Sequence, residues 1–143
     1  MPLSDTQAEQ IAKLLNERNE LVVAYNRDKV LKASESYRIR LSPTGTVAAC
    51  VQIKELQWYQ FEILHLTVDE AYEGQGFGKD LLCEAERVAR AKRARILQCT
   101  VREDNDRSRG LFEKSGFRRV SVFFNERSGK NIGVFQKVLE PAR

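Results

Sequence analysis

Residues 61–101 carry the pattern that restricts the fold most: an apolar segment, a glycine-rich turn, an amphipathic helix and a second apolar segment. Apolar runs without alternation, as at residues 61–68 and 96–101, are typical of central strands that are covered on both faces. Two such strands joined by a helix form a right-handed βαβ unit in which the strands are parallel neighbours. The pattern therefore predicts an α/β fold with a glycine turn at the carboxyl end of the first strand.

Helical patterns lie both within this unit and before it. Residues 78–94 predict the helix that joins the two strands, and residues 5–18 have an apolar face at helical spacing. Residues 21–34 are ambiguous, since residues 21–23 fit a short strand and residues 28–33 fit a short helix.

The rest of the chain predicts one more helix and two hairpins. Residues 107–115 form the helix, and Gly116 after it is well placed to end it in a left-handed conformation. Alternating patterns around turn residues predict the hairpins, which comprise residues 37–41 with 46–53 and residues 117–124 with 132–138. We expect a mixed, mostly antiparallel sheet with a parallel central strand pair and helices on both faces.

The composition fits one globular domain that spans residues 1–143. Hydrophobic residues make up 42% and charged residues 31%, and the chain has no repeat, low-complexity tract or linker. Its apolar runs are too short to span a bilayer, and residues 1–5 lack the basic start and apolar stretch of a secretory signal. We therefore expect a cytoplasmic protein that does not contact a membrane.

Charge and cysteine usage narrow the expected ligands. The net charge of +4 favours an anionic ligand but is too mild to require nucleic acid. Cys50, Cys83 and Cys99 form no close pair and no CxxC motif, a usage typical of a reducing compartment. We expect these thiols to pack as small hydrophobes rather than act as nucleophiles, and we expect no bound metal.

Three glycines at alternate positions lie between the first strand and the helix, in the segment Glu73-Gly74-Gln75-Gly76-Phe77-Gly78-Lys79. Glycine allows positive φ and a close approach to an anion, and the helix start adds N–H groups and a positive dipole end. Spacing excludes a dinucleotide fingerprint, since position 79 is Lys, and a P-loop, since positions 73 and 80 are Glu and Asp. The turn is either a phosphate cradle or an ordinary tight connection.

Two motifs together make residues 37–138 resemble the GNAT acetyltransferase superfamily. The family's acetyl-CoA signature, Arg/Gln-x-x-Gly-x-Gly/Ala after a strand, is matched by residues 73–78. Its second anchor is an Asn after the next strand, followed by a helix that ends in Gly-Phe, matched by Asn105 and by Gly116 with Phe117. The resemblance implies an N-acetyltransferase that uses acetyl-CoA as co-substrate and transfers its acetyl group directly to an amine in a ternary complex.

The resemblance implies a role for each matched position. The strand before the turn pairs its backbone with the pantetheine arm, the turn amides hold the pyrophosphate, and the Asn105 side chain bonds the pantetheine. Asn105 also fits a helix N-cap, and the two roles are compatible. The implied acetyl-CoA-binding residues are Leu66, Thr67, Val68, Glu73, Gly74, Gln75, Gly76, Phe77, Gly78, Lys79, Asn105, Ser108 and Phe112.

Acetyl transfer to an amine needs a general base, and Glu62 is the first candidate. It lies inside an apolar strand, where burial raises a carboxyl pKa, and at the spacing at which histone-acetylating members place their base. The alternative is a solvated residue at the strand start. His65, the only histidine in the sequence, is either a second proton carrier or a satisfied core residue. In a regular strand His65 faces away from Glu62, unless a bulge, which the family commonly has in this strand, intervenes.

Two positions depart from the family pattern. Glu73 stands where the family has Arg or Gln, and a carboxylate beside a pyrophosphate is unfavourable unless it faces solvent or pairs with a base. Phe112 stands where many members have a Tyr that protonates the departing thiolate, and Phe has no proton to donate. Ser108 or water then supplies the proton, or the thiolate leaves unprotonated. The alternative is a regulatory protein that binds acetyl-CoA without efficient catalysis.

The implied acceptor is an amine of a small molecule or a protein, which the sequence does not identify. In this family variable segments, here residues 21–36 and 125–131, select the acceptor. Trp58 and Tyr59 fit an acceptor groove, a core or a dimer contact, and a homodimer is a further expectation because family members often dimerise. The basic run at residues 87–95 fits a solvated surface, a partner contact or a contact to the CoA 3′-phosphate better than a nucleic-acid site.

Overall fold

The computed structural model describes residues 2–18 and 24–139. The α-helices in these ranges are α1 (Asp5–Arg18), α2 (Arg27–Lys32), α3 (Phe77–Ala91) and α4 (Asp106–Lys114). The strands are β1 (Tyr37–Leu41), β2 (Val47–Gln57), β3 (Gln60–Val68), β4 (Ile96–Arg102), β5 (Arg118–Asn125) and β6 (Lys130–Val138). Two 3-10 turns occupy Ser34–Ser36 and Glu70–Tyr72. None of the helices in this part of the chain combines the length and apolar character that a membrane crossing needs.

The predicted helices are present, and one ends earlier than its pattern suggests. α1 has the predicted bounds. α2 confirms the helical half of the ambiguous segment, whereas the short strand predicted at residues 21–23 lies outside the described residues. The prediction that α3 extends to residue 94 is wrong, because Arg93 adopts a left-handed φ of 63° and the helix ends at Ala91.

The six strands form one sheet in the order β1-β2-β3-β4-β6-β5. β3 and β4 are parallel, and their register runs from the pair Gln60 and Ile96 to the pair Ile63 and Cys99. β1 with β2, β4 with β6, and β5 with β6 are antiparallel. The predicted fold class is confirmed as a mixed, mostly antiparallel sheet with a parallel pair and helices around it. The parallel pair requires a crossover, which is why the glycine turn and α3 follow β3 directly.

The chain divides into two compact units, and each buries apolar residues. The first comprises Met1–Ile53 with His65–Leu82, and the second comprises Lys54–Leu64 with Cys83–Arg143. Leu97 and Phe135 are among the fully buried residues of the second unit. In the first unit α1 packs its apolar face into a cluster of Ala8, Ile11, Ala12, Leu14, Leu15, Val30, Tyr37, Val47 and Cys50. The single domain expected over residues 1–143 stays a prediction.

Two of the three cysteines are buried, and the third is not. Cys50 and Cys99 lie in β2 and β4, and burial raises the pKa of the Cys50 thiol to about 12 and also raises that of Cys99. Both thiols are therefore protonated and act as small hydrophobes, as expected. The expectation is wrong for Cys83, which is exposed because Leu82 and Ala85 occupy the buried face of α3.

α4 ends in a Schellman motif built on Gly116, whose φ is 95°. The Gly116 N–H donates to the Glu113 carbonyl at 3.1 Å, and the Phe117 N–H donates to the Phe112 carbonyl at 3.0 Å. The rings of Phe112 and Phe117 pack edge to face with their centroids 5.2 Å apart, which is the apolar contact that accompanies this cap. The predicted left-handed glycine cap is confirmed.

Two glycines of this region should respond to alanine in opposite directions. Gly116→Ala is expected to lower the free energy of unfolding by about 1 kcal/mol, because a side chain at a left-handed φ is strained. Gly110 lies inside α4, and a Cβ built there meets no heavy atom of the described residues within 4 Å. Gly110→Ala should therefore raise the free energy of unfolding by about 0.5–1 kcal/mol. Urea unfolding measures both changes, and two changes of the same sign would contradict this account.

Candidate functional site

The glycine turn leads from β3 to α3 and follows a capped 3-10 turn. The Asp69 carboxylate accepts a backbone hydrogen bond at 3.0 Å and caps the 3-10 turn Glu70–Tyr72. Gly74 and Gly76 follow with φ of 81° and 85°. The Gly76 carbonyl accepts from the Asp80 N–H at 3.0 Å, so α3 begins there, and the first N–H groups of a helix have no partner within it.

The two positive φ angles are a requirement of the backbone itself. A Cβ built on Gly74 or Gly76 meets no heavy atom of the described chain within 4 Å, so glycine is needed here for φ and not to avoid crowding. Gly78 is the second residue of α3, after Phe77, and Gln75 and Lys79 are exposed. Left-handed residues that lead into a helix N-terminus direct several N–H groups to one side, and this arrangement fits a pyrophosphate.

The last residues of β3 lead into this turn. Leu66 and Val68 are half-buried, and Thr67 is buried. The Thr67 hydroxyl donates to the His65 carbonyl at 3.1 Å, and the Asp69 N–H donates to Ala48 of β2 at 2.8 Å. The Thr67 side chain is therefore bonded within its own strand, and a ligand alongside this segment would meet its backbone.

The carboxylate of Glu73, which departs from the family pattern, pairs with a base. Arg18, at the end of α1, donates through Nη2 to Glu73 Oε1, and its Nη1 lies 3.8 Å from Glu70 Oε2. Both Glu73 and Arg18 are partly buried, with 22% and 34% of the side chain exposed. A carboxylate beside an anion site is tolerable if it faces solvent or pairs with a base, and Glu73 pairs with a base.

His65 interrupts the regular geometry of β3. Its φ of 53° lies in the left-handed region, so the alternation that would set it opposite Glu62 does not apply at this residue. Its Nε2 lies 2.7 Å from the Tyr25 hydroxyl, and the two rings meet edge to face with centroids 5.0 Å apart. Burial lowers the pKa of His65, and the charge of Lys29 lowers it further, so the neutral imidazole is favoured.

Glu62 lies in the regular part of β3, opposite Gln98 in the parallel register. The Gln98 side-chain carbonyl accepts hydrogen bonds from the amides of Gln60 at 2.9 Å and Gln136 at 2.7 Å. The amide group of Gln98 is in turn hydrogen-bonded to the Glu62 carboxylate. Burial raises the pKa of Glu62, while the Gln98 hydrogen bond and the charge of Lys54 oppose that rise. Glu62 is a half-buried and oriented carboxylate.

Three further residues of interest belong to α4 and its N-cap. Asn105 Oδ1 accepts from the Ser108 N–H at 3.2 Å, which is N-cap geometry. The Asn105 amide group carries two N–H donors that this cap does not use. Ser108 is half-buried, and Phe112 is buried against Phe117 at the other end of the helix.

The aromatic residues noted in the sequence lie at the turn between β2 and β3, and the basic run covers the last turn of α3 and the residues that follow it. Trp58 is 67% exposed, so it is not a core residue. Its ring meets that of Tyr59 edge to face. The Arg95 guanidinium lies over the Trp58 ring, 5.7 Å from its centroid. Within the described ranges no group of three or more His, Cys, Asp or Glu side chains could hold a metal ion.

The structure groups the expected site residues by unit. The first unit contains the glycine turn and residues 65–68, and the second contains Glu62, Asn105, Ser108 and Phe112. Sequence patterns did not identify three of their partners: Arg18, Tyr25 and Gln98. Arg18 is 55 residues from Glu73 and Tyr25 is 40 residues from His65, so no local periodicity links them. Gln98 carried one signal, because an amide inside a central strand requires a hydrogen-bond partner.

Comparison of the sequence with known proteins identifies a family and one relative. The sequence model of the acetyltransferase (GNAT) family matches residues 5–117. The N-alpha-acetyltransferase RimI of Mycobacterium tuberculosis (strain ATCC 25618 / H37Rv) is 30% identical over 102 residues, which are 69% of this chain. The match spans 61% of the length of that relative.

Solved structures share the fold. Ard1 from Thermoplasma volcanium superposes with a TM-score of 0.85 at 19% identity, covering 98% of this chain and 96% of the other. The structure of yncA from Salmonella typhimurium with its cofactor acetyl-CoA has a TM-score of 0.82 at 16% identity, covering 100% of this chain and 94% of the other. The family match covers most of the chain and agrees with the fold and the glycine turn. The chain belongs to the acetyltransferase (GNAT) family.

Proposed function

We propose that the protein transfers the acetyl group of acetyl-CoA to an amine by direct attack in a ternary complex, with Glu62 as general base. The observation that carries this proposal is the Glu62 carboxylate, which is half-buried in β3 and oriented by Gln98. Burial raises the pKa of Glu62, which makes it a stronger base than an exposed carboxylate. Membership in the acetyltransferase family supports the reaction type.

The proposed acetyl-CoA contacts come mainly from the backbone. Acetyl-CoA brings an activated thioester when it is bound, so positioning by the protein supplies much of the rate. In this proposal residues 66–68 pair with the pantetheine arm, and the N–H groups of residues 74–79 hold the pyrophosphate. Asn105 donates its amide N–H to the pantetheine while its Oδ1 keeps the helix cap.

Proton transfer to the departing thiolate is assigned to Ser108 or to water. Phe112 cannot donate a proton, and its buried ring contributes an apolar surface. Ser108 lies one helical turn before Phe112 and so on the same face of α4. An unprotonated departure is the remaining route, because a thiolate, whose conjugate thiol has a pKa of about 8.5, is a weak enough base to leave without a proton.

His65 is proposed as a second proton carrier that acts with Tyr25. Burial raises the pKa of Tyr25 and lowers the pKa of His65, so a protonated hydroxyl faces a neutral imidazole at 2.7 Å. In that state the hydroxyl donates to Nε2, and the imidazole is ready to accept a proton. Its left-handed backbone, which is sparsely populated for residues other than glycine, is consistent with a functional position.

The proposed acceptor is an amine, and the relatives suggest where a search should start. RimI of Mycobacterium tuberculosis is an N-alpha-acetyltransferase, so peptide α-amino groups come first, followed by lysine side chains, polyamines and amino acids. A cytoplasmic location and a homodimer stay predictions.

A regulatory acetyl-CoA-binding protein is the second candidate, and the buried Phe112 favours it because position 112 offers no acid. Turnover with a panel of amines, followed by mass spectrometry, separates the two candidates. Transfer that depends on Glu62 excludes a purely regulatory role. Tight binding of acetyl-CoA without transfer to any amine favours it.

Glu62→Gln is expected to lower kcat/KM at neutral pH by about 100-fold or more, because the general base is lost, while the Kd for acetyl-CoA stays within about twofold. Since burial raises the pKa of Glu62 in the fold, the ionised carboxylate is disfavoured there above its unfolded pKa. The Gln variant should therefore be at least as stable as the parent at pH 7. The exposed Glu55 of β2 supplies the control Glu55→Gln, and equal activity of both variants would remove Glu62 from this role.

Gln98→Leu should move the acidic limb of the pH profile of kcat/KM to higher pH. The Gln98 hydrogen bond lowers the pKa of Glu62, so its loss raises that pKa, and the base then stays protonated to a higher pH. Activity should fall more at pH 6 than at pH 8. Gln136→Leu is the matched control, because Gln136 bonds Gln98 and not Glu62, and a shift as large in this control would argue against the assignment.

Asn105 variants separate its cap from its proposed ligand contact. Asn105→Ala should lose about 1 kcal/mol of stability with the cap and should also weaken acetyl-CoA binding. Asn105→Asp keeps the cap oxygen but has no N–H donor, so stability should be kept while Kd for acetyl-CoA rises about tenfold. Thermal unfolding and calorimetric titration measure the two effects. Unchanged affinity in the Asp variant would leave Asn105 as a cap only.

A further inference from the structure

Arg18 stands at the entry to the glycine turn, although it comes from a distant helix. Its Nη2 contacts Glu73 Oε1, and its Nη1 lies 3.8 Å from Glu70 Oε2. Glu73 directly precedes Gly74, the first left-handed residue of the turn. The Glu73 side chain is short, so a guanidinium in contact with its carboxylate lies near the backbone of the turn.

The two carboxylates at this entry would oppose an anionic ligand, and Arg18 is a cation that contacts both of them. Glu70 and Glu73 place two carboxylates beside backbone N–H groups and a helix N-terminus, which favour negative charge on a ligand. A guanidinium carries five N–H donors in a planar fork, which is more than its contacts with these two carboxylates use. The same guanidinium can therefore hold a carboxylate and a phosphate oxygen at once.

We propose that Arg18 is a pyrophosphate contact of acetyl-CoA and that Glu73 positions its guanidinium for that role. This inference rests on the proposed function, because it takes acetyl-CoA as the ligand of the turn. It assigns the cationic contribution at this entry to a residue of α1, in place of the side chain at position 73. The Glu73 carboxylate then has a structural use, and its charge is offset at the site.

Two substitutions that break the same ion pair test the proposal. If Arg18 contacts the ligand, they change the Kd for acetyl-CoA in different ways, whereas a purely structural pair predicts the same change for both. Arg18→Gln should raise Kd for acetyl-CoA about tenfold, through loss of a charge-assisted hydrogen bond. Glu73→Gln keeps an acceptor for Arg18 but removes a negative charge, so it should leave Kd unchanged or lower it severalfold. Arg18→Lys, which keeps the charge without the fork, should lie between Arg18→Gln and the parent. Lys13→Gln, on an exposed position of α1, is the control and should bind as the parent does.

The 3′-dephospho derivative of acetyl-CoA identifies which phosphate is involved. It retains the pyrophosphate, so the penalty of Arg18→Gln should be as large as with acetyl-CoA. A penalty that disappears with this derivative would assign Arg18 to the 3′-phosphate and overturn the pyrophosphate contact.

The remaining outcomes are also decisive. If Arg18→Gln and Glu73→Gln weaken binding equally, the pair is structural and the proposal is overturned. The same holds if Arg18→Gln and Arg18→Lys bind as tightly as the parent. Thermal unfolding of each variant shows whether it is folded at the assay temperature. If Arg18→Gln is unfolded, the changes in Kd of Arg18→Lys and Glu73→Gln still test the proposal. A parent protein that binds no acetyl-CoA would refute the proposed function itself, which is a different result.

Discussion

The parallel pairing of β3 with β4 is the constraint on which the candidate site depends. Parallel neighbours cannot be joined by a tight turn, so the chain must cross over through a helix, and the glycine turn is the start of that crossover. The same pairing sets Glu62 opposite Gln98. The parallel pair therefore accounts for the glycine turn that follows β3, and its register accounts for the pairing of Glu62 with Gln98.

Within each unit, the polar groups of interest are tolerated because each has a partner from another element. Glu62 is bonded to Gln98, whose carbonyl is in turn occupied by two glutamines. His65 meets the Tyr25 hydroxyl, and Glu73 meets the Arg18 guanidinium. Burying a charged or polar group without a partner costs free energy, so these contacts reduce the destabilisation that such groups would otherwise cause. The partners also set the direction of each group, which is what acid–base chemistry and anion binding require.

Local sequence patterns were reliable where the backbone alone decides the structure. The Gly116 cap was predictable because glycine is the residue that a left-handed helix end favours. The end of α3 was not, because Arg93 takes the same left-handed conformation without being glycine. The exposure of Cys83 was also missed, since cysteine type indicates burial only on average, and the phase of the helix decides the individual case.

The sequence by itself determined the order of the elements, the βαβ crossover, the glycine turn and the family resemblance. Each of these rests on a periodicity or a backbone preference that neighbouring residues carry. Only the tertiary structure decided that Glu73 is paired with Arg18, that His65 faces Tyr25, and that Gln98 orients Glu62. These pairs join residues from separate elements, and no local rule specifies which side chains folding brings within a hydrogen bond of one another. Charge compensation at the site is therefore a property of the folded chain, whereas the turn it serves is already visible in the sequence.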